Sequence, residues 1–212
     1  IAHEIRNPLG AISHATQLLK ESEALNDGDR RLVTIIGDHT RRVNSVVENV
    51  LQLSRPGASL PQRLRLQDWL RQFVDEFSHS GVCRPEQIEY AVTDPDLEIY
   101  IDPSLLHQVV WNLCLNAVNH ARPDAEALQI RLAASCPGSA TTVRLDIMDN
   151  GQGIQADMTD KIFEPFFTTR LNDGGTGLGL SVSYGIVSDH GGFIEVESEE
   201  GIGTCFTVWL PV

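Results

Sequence analysis

No apolar run in this 212-residue chain approaches the roughly 18–20 residues that a membrane-spanning helix needs. The residues present contain no secretory signal pattern. The chain opens on Ile1, inside a helical pattern and without a start methionine, so it is expected to be a piece of a longer protein. Cysteine is sparse: Cys83, Cys114, Cys136 and Cys205 are scattered, with no C-x-x-C pair. That argues against a zinc or disulfide framework and fits a reducing compartment. Basic residues are also few, 16 Lys and Arg against 29 Asp and Glu, for a net charge of −13. Such a chain repels nucleic acid phosphates. An anionic ligand would have to be held by local devices: a divalent cation, helix N-termini and backbone N–H groups. What is present is globular in kind, 42% hydrophobic and 21% charged, and long enough for one ordinary domain or two small ones.

The first stretch is helical. Ile1, Ile5, Pro8/Leu9, Ile12, Ala15 and Leu19 alternate at spacings of four and three. After a polar break from Glu21 to Asp29, Leu32, Ile36, His39, Val43, Val46, Val50 and Leu53 resume the alternation. A 3.5-residue period is a coiled-coil seam. Two such helices make an antiparallel hairpin that cannot enclose its own seam, so a second copy is expected to complete a four-helix bundle. The alternative is a hairpin packed on its own C-terminal part. Pro8 removes one helical hydrogen bond a turn after His3 and should bend the helix there.

Residues 55–62, RPGASLPQ, form a linker without an apolar period. Beyond it the sequence predicts strands at 64–66, 88–92, 98–101, 128–134 and 143–149. Helices are predicted at 67–80, 103–121 and 177–190, and a closing hairpin at 193–198 and 203–210. This order predicts an α/β sandwich, a mixed sheet with helices on one face.

Five short motifs carry chemical potential. In His3-Glu-Ile-Arg-Asn-Pro8 the second zinc ligand of H-E-x-x-H is absent, because residue 7 is Asn. A neutral imidazole beside a carboxylate can still act as a nucleophile. Asn112, Asn116 and His120 fall on one helical face. Amide oxygens suit a Mg²⁺ already held by phosphates, although a solvent face or a buried hydrogen-bond network reads equally well. Asp149-Asn-Gly-Gln-Gly153 follows a strong strand and offers a carboxylate beside backbone that a flat ring can approach. Phe163 to Arg170 sets three aromatics and two hydroxyls in a loop, or simply anchors that loop in the core. Gly174 to Ser181 fits neither G-x-G-x-x-G nor the lysine-bearing phosphate loop, yet its glycines open a helix N-terminus suited to polyphosphate.

In this order and spacing, over essentially all 212 residues, the motifs resemble the core of a sensor histidine kinase of two-component systems. His3–Pro8 matches the H-box and Asn112–His120 the N-box. Asp149–Gly153, Phe163–Phe167 and Gly175–Gly179 match the G1, F and G2 boxes. The first hairpin is most similar to PilS-type pilus-regulating kinases and, more distantly, to NtrB-type nitrogen sensors.

The resemblance implies an α-helical hairpin (1–54) forming a dimeric four-helix bundle, the linker 55–62, and an α/β sandwich of the Bergerat (GHKL) ATP-binding type at 63–212. It implies that His3 is the phosphoacceptor, that Glu4 activates it, and that Asn7 positions a water for dephosphorylation of the partner. Asn116 is implied as the Mg²⁺ ligand, with Asn112 and His120 near the phosphates. Asp149 is implied as the acceptor of the adenine amine, with Gly151, Gly153 and Thr204 beside the ring. Gly175, Thr176, Gly177, Leu178 and Gly179 are implied as the lid over the phosphates, which is short because only 170–174 precede it.

Thr169 and Arg170 join the ATP-binding set; the family often has lysine where Arg170 stands, and arginine keeps the charge but changes its geometry. The partners implied are a second copy and the receiver domain of a response regulator, which the PilS-type resemblance implies is one acting at sigma-54 promoters. Neither nucleic acid nor membrane contact is expected from these residues. The setting implied is the cytoplasmic part of a membrane-associated bacterial sensor. A GHKL-type ATPase is disfavoured because Asn112 stands where such enzymes carry glutamate. The presence of every motif residue argues against a non-catalytic dimeric scaffold, and the H-box against a serine kinase of the anti-sigma type.

Overall fold

The computed structural model describes residues 2–22, 25–54, 60–123, 128–138, 141–170 and 175–212. Side chains of 2–6, 41, 42, 44–46 and 48–54 lie outside that description. So do Ile1, most of the predicted linker (55–59) and the stretch 171–174 before the glycine run. The chain divides into two compact units, residues 1–56 with 164–179, and residues 57–163 with 180–212.

In the first unit, α1 (Ala2–Lys20) and α2 (Asp27–Ser54) form the predicted hairpin. Asn26 caps α2: its Oδ1 accepts from the Asp29 N–H at 2.9 Å, and its amide donates back to the Asp29 carboxylate at 2.7 Å. This occupies a donor that a helix N-terminus leaves unpaired. The helix α1 runs through Pro8. Among the described residues of the hairpin, Thr16, Val33, Gly37 and Thr40 are buried. Gly37 leaves room for Thr16, whose Oγ1 would lie 3.6 Å from a Cβ built there. The threonine hydroxyls donate within their own helices, Thr16 to Ser13 O (2.8 Å) and Thr40 to Ile36 O (2.7 Å), so they are buried without orphaned groups.

The register of this contact lies one residue beyond the predicted seam of α2. Leu32 and Ile36, expected at the seam, are 59% and 47% exposed, and Ile12, Leu19 and Val43 are exposed with them. Among the described side chains, mostly small residues thus make the contact within the hairpin, and Ile12, Leu19, Leu32, Ile36 and Val43 form apolar surface that the hairpin leaves uncovered.

The second unit begins with β1 (Gln62–Arg65) and α3 (Leu66–His79), followed by a single 3-10 turn at Pro85–Gln87. Then come β2 (Ile88–Val92), β3 (Glu98–Ile101) and α4 (Pro103–Asn119). The strands β4 (Ile130–Ser135) and β5 (Thr142–Asp149) precede α5 (Gly179–Asp189). A hairpin of β6 (Phe193–Glu199) and β7 (Gly203–Pro211) closes the chain. The main sheet runs β2-β4-β5-β7-β6, with β2 parallel to β4 and every other pair antiparallel. It is the mixed sheet predicted. A separate antiparallel pair, β1 with β3, was not predicted.

The core follows from period-two burial in the strands. Val143, Leu145 and Ile147 of β5 and Phe206, Val208 and Leu210 of β7 are buried. Val109, Val110, Leu113 and Ala117 form the buried side of α4, which contacts β5. Asp102 starts α4: its Oδ1 accepts from the Ser104 N–H and its Oδ2 from the Leu60 N–H, both at 2.9 Å. Pro103 occupies the first helical position, where its missing N–H costs nothing.

Candidate active site

The register of β5 against β7 places the end of one strand beside the start of the other, with Asp149 opposite Thr204. The Asp149 carboxylate is half-buried, and its Oδ1 accepts from the Gly151 N–H at 2.8 Å. Burial pushes the Asp149 carboxyl above the ordinary carboxylate value, while the N–H groups of Gly151 and Thr204 pull it partly back. Buried Thr204 shares a 2.9 Å hydroxyl contact with Ser198, which also accepts from the Ile154 N–H at 2.8 Å.

The loop after Asp149 is tied on two sides. His120, which ends α4, accepts at its backbone carbonyl from the Gln152 N–H at 3.0 Å, and its Nδ1 lies 2.9 Å from the Gln152 side-chain amide. On the other side the Gly201 N–H donates to Gln152 O at 2.7 Å. The glycines serve these approaches. A Cβ on Gly151 would stand 2.7 Å from both Asp149 Oδ1 and His120 O. Gly153 has φ +71°, and a Cβ there would run into Glu199 O and lie 2.6 Å from Glu199 C. The room at both positions is therefore taken by protein atoms. This requirement for glycine differs from the expected one, a gap for a flat ring.

On α4, Asn112 and Asn116 stand one turn apart, both half-buried. Asn112 Nδ2 donates to the Ser183 hydroxyl of α5 at 3.4 Å, a long contact to a fully buried group. Asn116 differs: among the described residues its side-chain amide meets no hydrogen-bond partner. A half-buried amide oxygen with nothing to accept suits a hard cation. No cluster of three His, Cys, Asp or Glu side chains able to hold a metal occurs among the described residues. A cation at Asn116 would need further oxygens from a ligand.

The segment 164–179 has its own geometry within the first unit. The Phe166 N–H donates to Gly177 O at 2.8 Å. Gly177 has φ +69°, and a Cβ there would stand 2.6 Å from Phe166 O. Phe166 itself, at φ 68°, is the one non-glycine residue with positive φ among those described. The Gly175 N–H donates to Arg170 O at 3.1 Å, and the Arg170 N–H to the Thr168 hydroxyl at 3.1 Å. Thr176 Oγ1 accepts from the N–H of buried Leu178 at 3.4 Å, just before Gly179 opens α5. The exposed side chain of Thr169 lies in the same segment.

Of the other predicted residues, His3, Glu4 and Asn7 lie on α1, with Asn7 exposed; the His3 and Glu4 side chains lie outside the described set. None of the four cysteines forms a disulfide. No helix of the described residues is long and apolar enough to cross a membrane. Sequence reading missed Arg122, Gln152, Ser183 and Ser198. Arg122 bonds Gly151 O and Ile202 O, Gln152 bonds His120, Ser183 bonds Asn112 and Ser198 bonds the Ile154 N–H, all across long sequence separations that leave no periodic signal.

The mixed sheet with its asparagine-bearing helix and strand-end aspartate, and the helical hairpin of the other unit, are the parts expected of a sensor histidine kinase core. Residues 101–212 match the model of the histidine kinase-, DNA gyrase B- and HSP90-like ATPases, and residues 1–59 that of the His Kinase A (phospho-acceptor) domain. The chain belongs to the sensor histidine kinases.

Among relatives, it is 42% identical over 208 residues to the sensor protein kinase PilS of Pseudomonas aeruginosa, covering 98% of this chain and 39% of that one. Full-length ShkA, solved in complex with AMPPNP, matches with TM-score 0.77 at 28% identity, over 99% of this chain and 44% of that one. The histidine kinase ThkA, solved in complex with the response regulator protein TrrA, matches with TM-score 0.70 at 27% identity, over 99% of this chain and 59% of that one. The chain spans well under two thirds of each.

Proposed function

We propose that this chain binds ATP with Mg²⁺, transfers the γ-phosphoryl group to His3, and then passes it to an aspartate on a response-regulator receiver domain. The observation that carries the nucleotide reading is the half-buried Asp149 carboxylate, held by the Gly151 N–H as an acceptor for an exocyclic amine. The unpartnered amide of Asn116 is the place for Mg²⁺, which supplies charge neutralisation on the phosphates when bound. Asn112 and His120 are assigned to the phosphate side. Gly175, Gly177 and Gly179, with Thr176 and Leu178, are assigned to the lid, and Thr169 and Arg170 to the γ-phosphate end.

The step is in-line displacement. A ring nitrogen of His3 forms a bond to phosphorus, the bond from phosphorus to the β,γ-bridging oxygen breaks, and ADP leaves. Glu4 holds the proton on the other ring nitrogen. In the second step the P–N bond breaks as a carboxylate oxygen of the receiver aspartate takes the phosphoryl group. Asn7, exposed one turn after His3, is assigned to orient water for the reverse signal, dephosphorylation of that partner. The similarity to PilS favours a receiver of a sigma-54 activator. The chain then acts as the cytoplasmic kinase part of a membrane-associated sensor.

Incubation with γ-labelled ATP and Mg²⁺ tests this. The expected label is acid-labile, alkali-stable, and carried by the tryptic peptide that ends at Arg6. Steady phosphate release without protein label would instead assign the ATPase reading.

The uncovered stripe on the hairpin supports a homodimer. Ile36→Asp places a carboxylate in that stripe, where desolvating it costs several kcal/mol. Its dimer should dissociate about a hundredfold more readily, read by sedimentation across a dilution series. Dissociation equal to that of the parent would remove this face from the interface.

A further inference from the structure

We propose that Arg122 is a positioning residue for the base end of the nucleotide site and acts through the Gly151 peptide. The inference rests on the nucleotide reading above. Arg122 follows the His120 cap of α4 by two residues. Its Nε donates to Gly151 O at 3.3 Å and its Nη2 to Ile202 O at 2.9 Å. These carbonyls belong to different loops, one after β5 and one between β6 and β7. One guanidinium therefore clamps the two loops together.

Gly151 is held through both of its peptide groups. Its N–H donates to Asp149 Oδ1 at 2.8 Å, its carbonyl accepts from Arg122, and the next N–H, of Gln152, donates to His120 O at 3.0 Å. The two peptide planes meet at the Gly151 Cα, so a shift of the Gly151 carbonyl displaces the residue whose N–H aims the Asp149 carboxylate. Arg122 thus governs the direction of the adenine acceptor without touching the base. Both of its acceptors are neutral carbonyls, so what matters is the fixed fork of donors more than the charge. A lysine ammonium on a flexible stem cannot meet two carbonyls in set directions at once.

The test compares the chain with its Arg122→Ala and Arg122→Lys variants, using adenosine and a non-hydrolysable ATP analogue as probes. In Arg122→Ala both probes should bind about tenfold more weakly, the effect of losing hydrogen bonds from a charged donor. The loss is shared because it arises at the base. Arg122→Lys should recover only a small part of it, although it keeps the charge. KM for ATP in autophosphorylation should rise by the same factor, with kcat at saturating ATP nearly unchanged.

Unchanged affinity for both probes in Arg122→Ala would overturn the proposal. So would a loss confined to the ATP analogue, since that would make Arg122 a phosphate contact. Full recovery in Arg122→Lys would overturn the role of the fork. The parent chain separates the two levels: if it binds neither probe, the nucleotide reading itself fails, whatever the variants do.

Discussion

Asp149→Asn should give a chain that folds at least as well as its parent yet takes no phosphoryl label from ATP. The substitution is isosteric. One side-chain oxygen can still accept from the Gly151 N–H, the 2.8 Å bond that orients the group. The other oxygen becomes an NH₂, a donor facing the donor amine of adenine. That loses a charge-assisted hydrogen bond, worth about 1.5–3 kcal/mol, and leaves donors unpaired at a further cost of about 1–3 kcal/mol. Together these weaken nucleotide binding by roughly a hundredfold or more.

The effect on folding has the opposite sign. Burial raises the Asp149 pKa, so the ionised form is disfavoured in the folded chain. A carboxyl whose folded pKa lies above its unfolded value lowers stability once pH exceeds the unfolded pKa, and the penalty disappears as pH falls below it. Asparagine carries no such penalty, so the melting temperature of the variant at neutral pH should equal or exceed that of the parent. The same raised pKa predicts that nucleotide binding by the parent weakens at a higher pH, on acidification, than an exposed aspartate would allow. Titration calorimetry with the ATP analogue, alongside a thermal melt, reads both arms. Retained binding in Asp149→Asn would remove Asp149 from the base site.

The elements of the second unit were legible because their burial is periodic. Val143, Leu145 and Ile147 alternate inward along β5, and an alternating sequence can be read without knowing its partners. The pairing of β1 with β3 was not legible, because strands of four residues carry too little pattern to name a partner. In the hairpin the apolar stripe read from the sequence is the one the two helices leave uncovered, as expected of a seam that a single hairpin cannot enclose. Threonine and glycine at 16, 37 and 40 form the internal contact, while the larger Leu32 and Ile36 stay outside. Small residues permit close approach but carry little hydrophobic signal, so a reading by hydrophobicity picks the adjacent stripe.

The same asymmetry holds at the site. Asp149 and Asn116 stood out as polar groups at marked positions. The parts that hold the Asp149 end, Arg122 on two carbonyls and Ser198 on the Ile154 N–H, act through backbone groups that every residue possesses. The glycines of the Asp149 loop stand out in the sequence, but the space beside them is filled by Asp149, His120 and Glu199.

Gly153→Ala puts that last point to a test with a large expected effect on stability. At φ +71° an L-residue is strained by about 1–2 kcal/mol. The added methyl would also stand 2.6 Å from Glu199 C and 2.9 Å from Glu200 Cα, and these are backbone atoms that cannot rotate away. Relieving that overlap would part the Asp149 loop from the β6–β7 turn, at a further cost of about 1–3 kcal/mol. The sum, about 3 kcal/mol or more, corresponds to a fall in melting temperature of about 10 °C. Nucleotide affinity should fall with it, because the Gly201 N–H bond to Gln152 O spans the same junction. Gly185→Ala is the contrasting case. Gly185 lies inside α5, and a Cβ there meets nothing within 4 Å, so alanine should stabilise the helix by about 0.5–1 kcal/mol. If the two variants melt alike, the close approach of Gly153 to Glu199 does not exist in solution. If Gly153→Ala melts like the parent but loses adenosine, the glycine serves the ring after all.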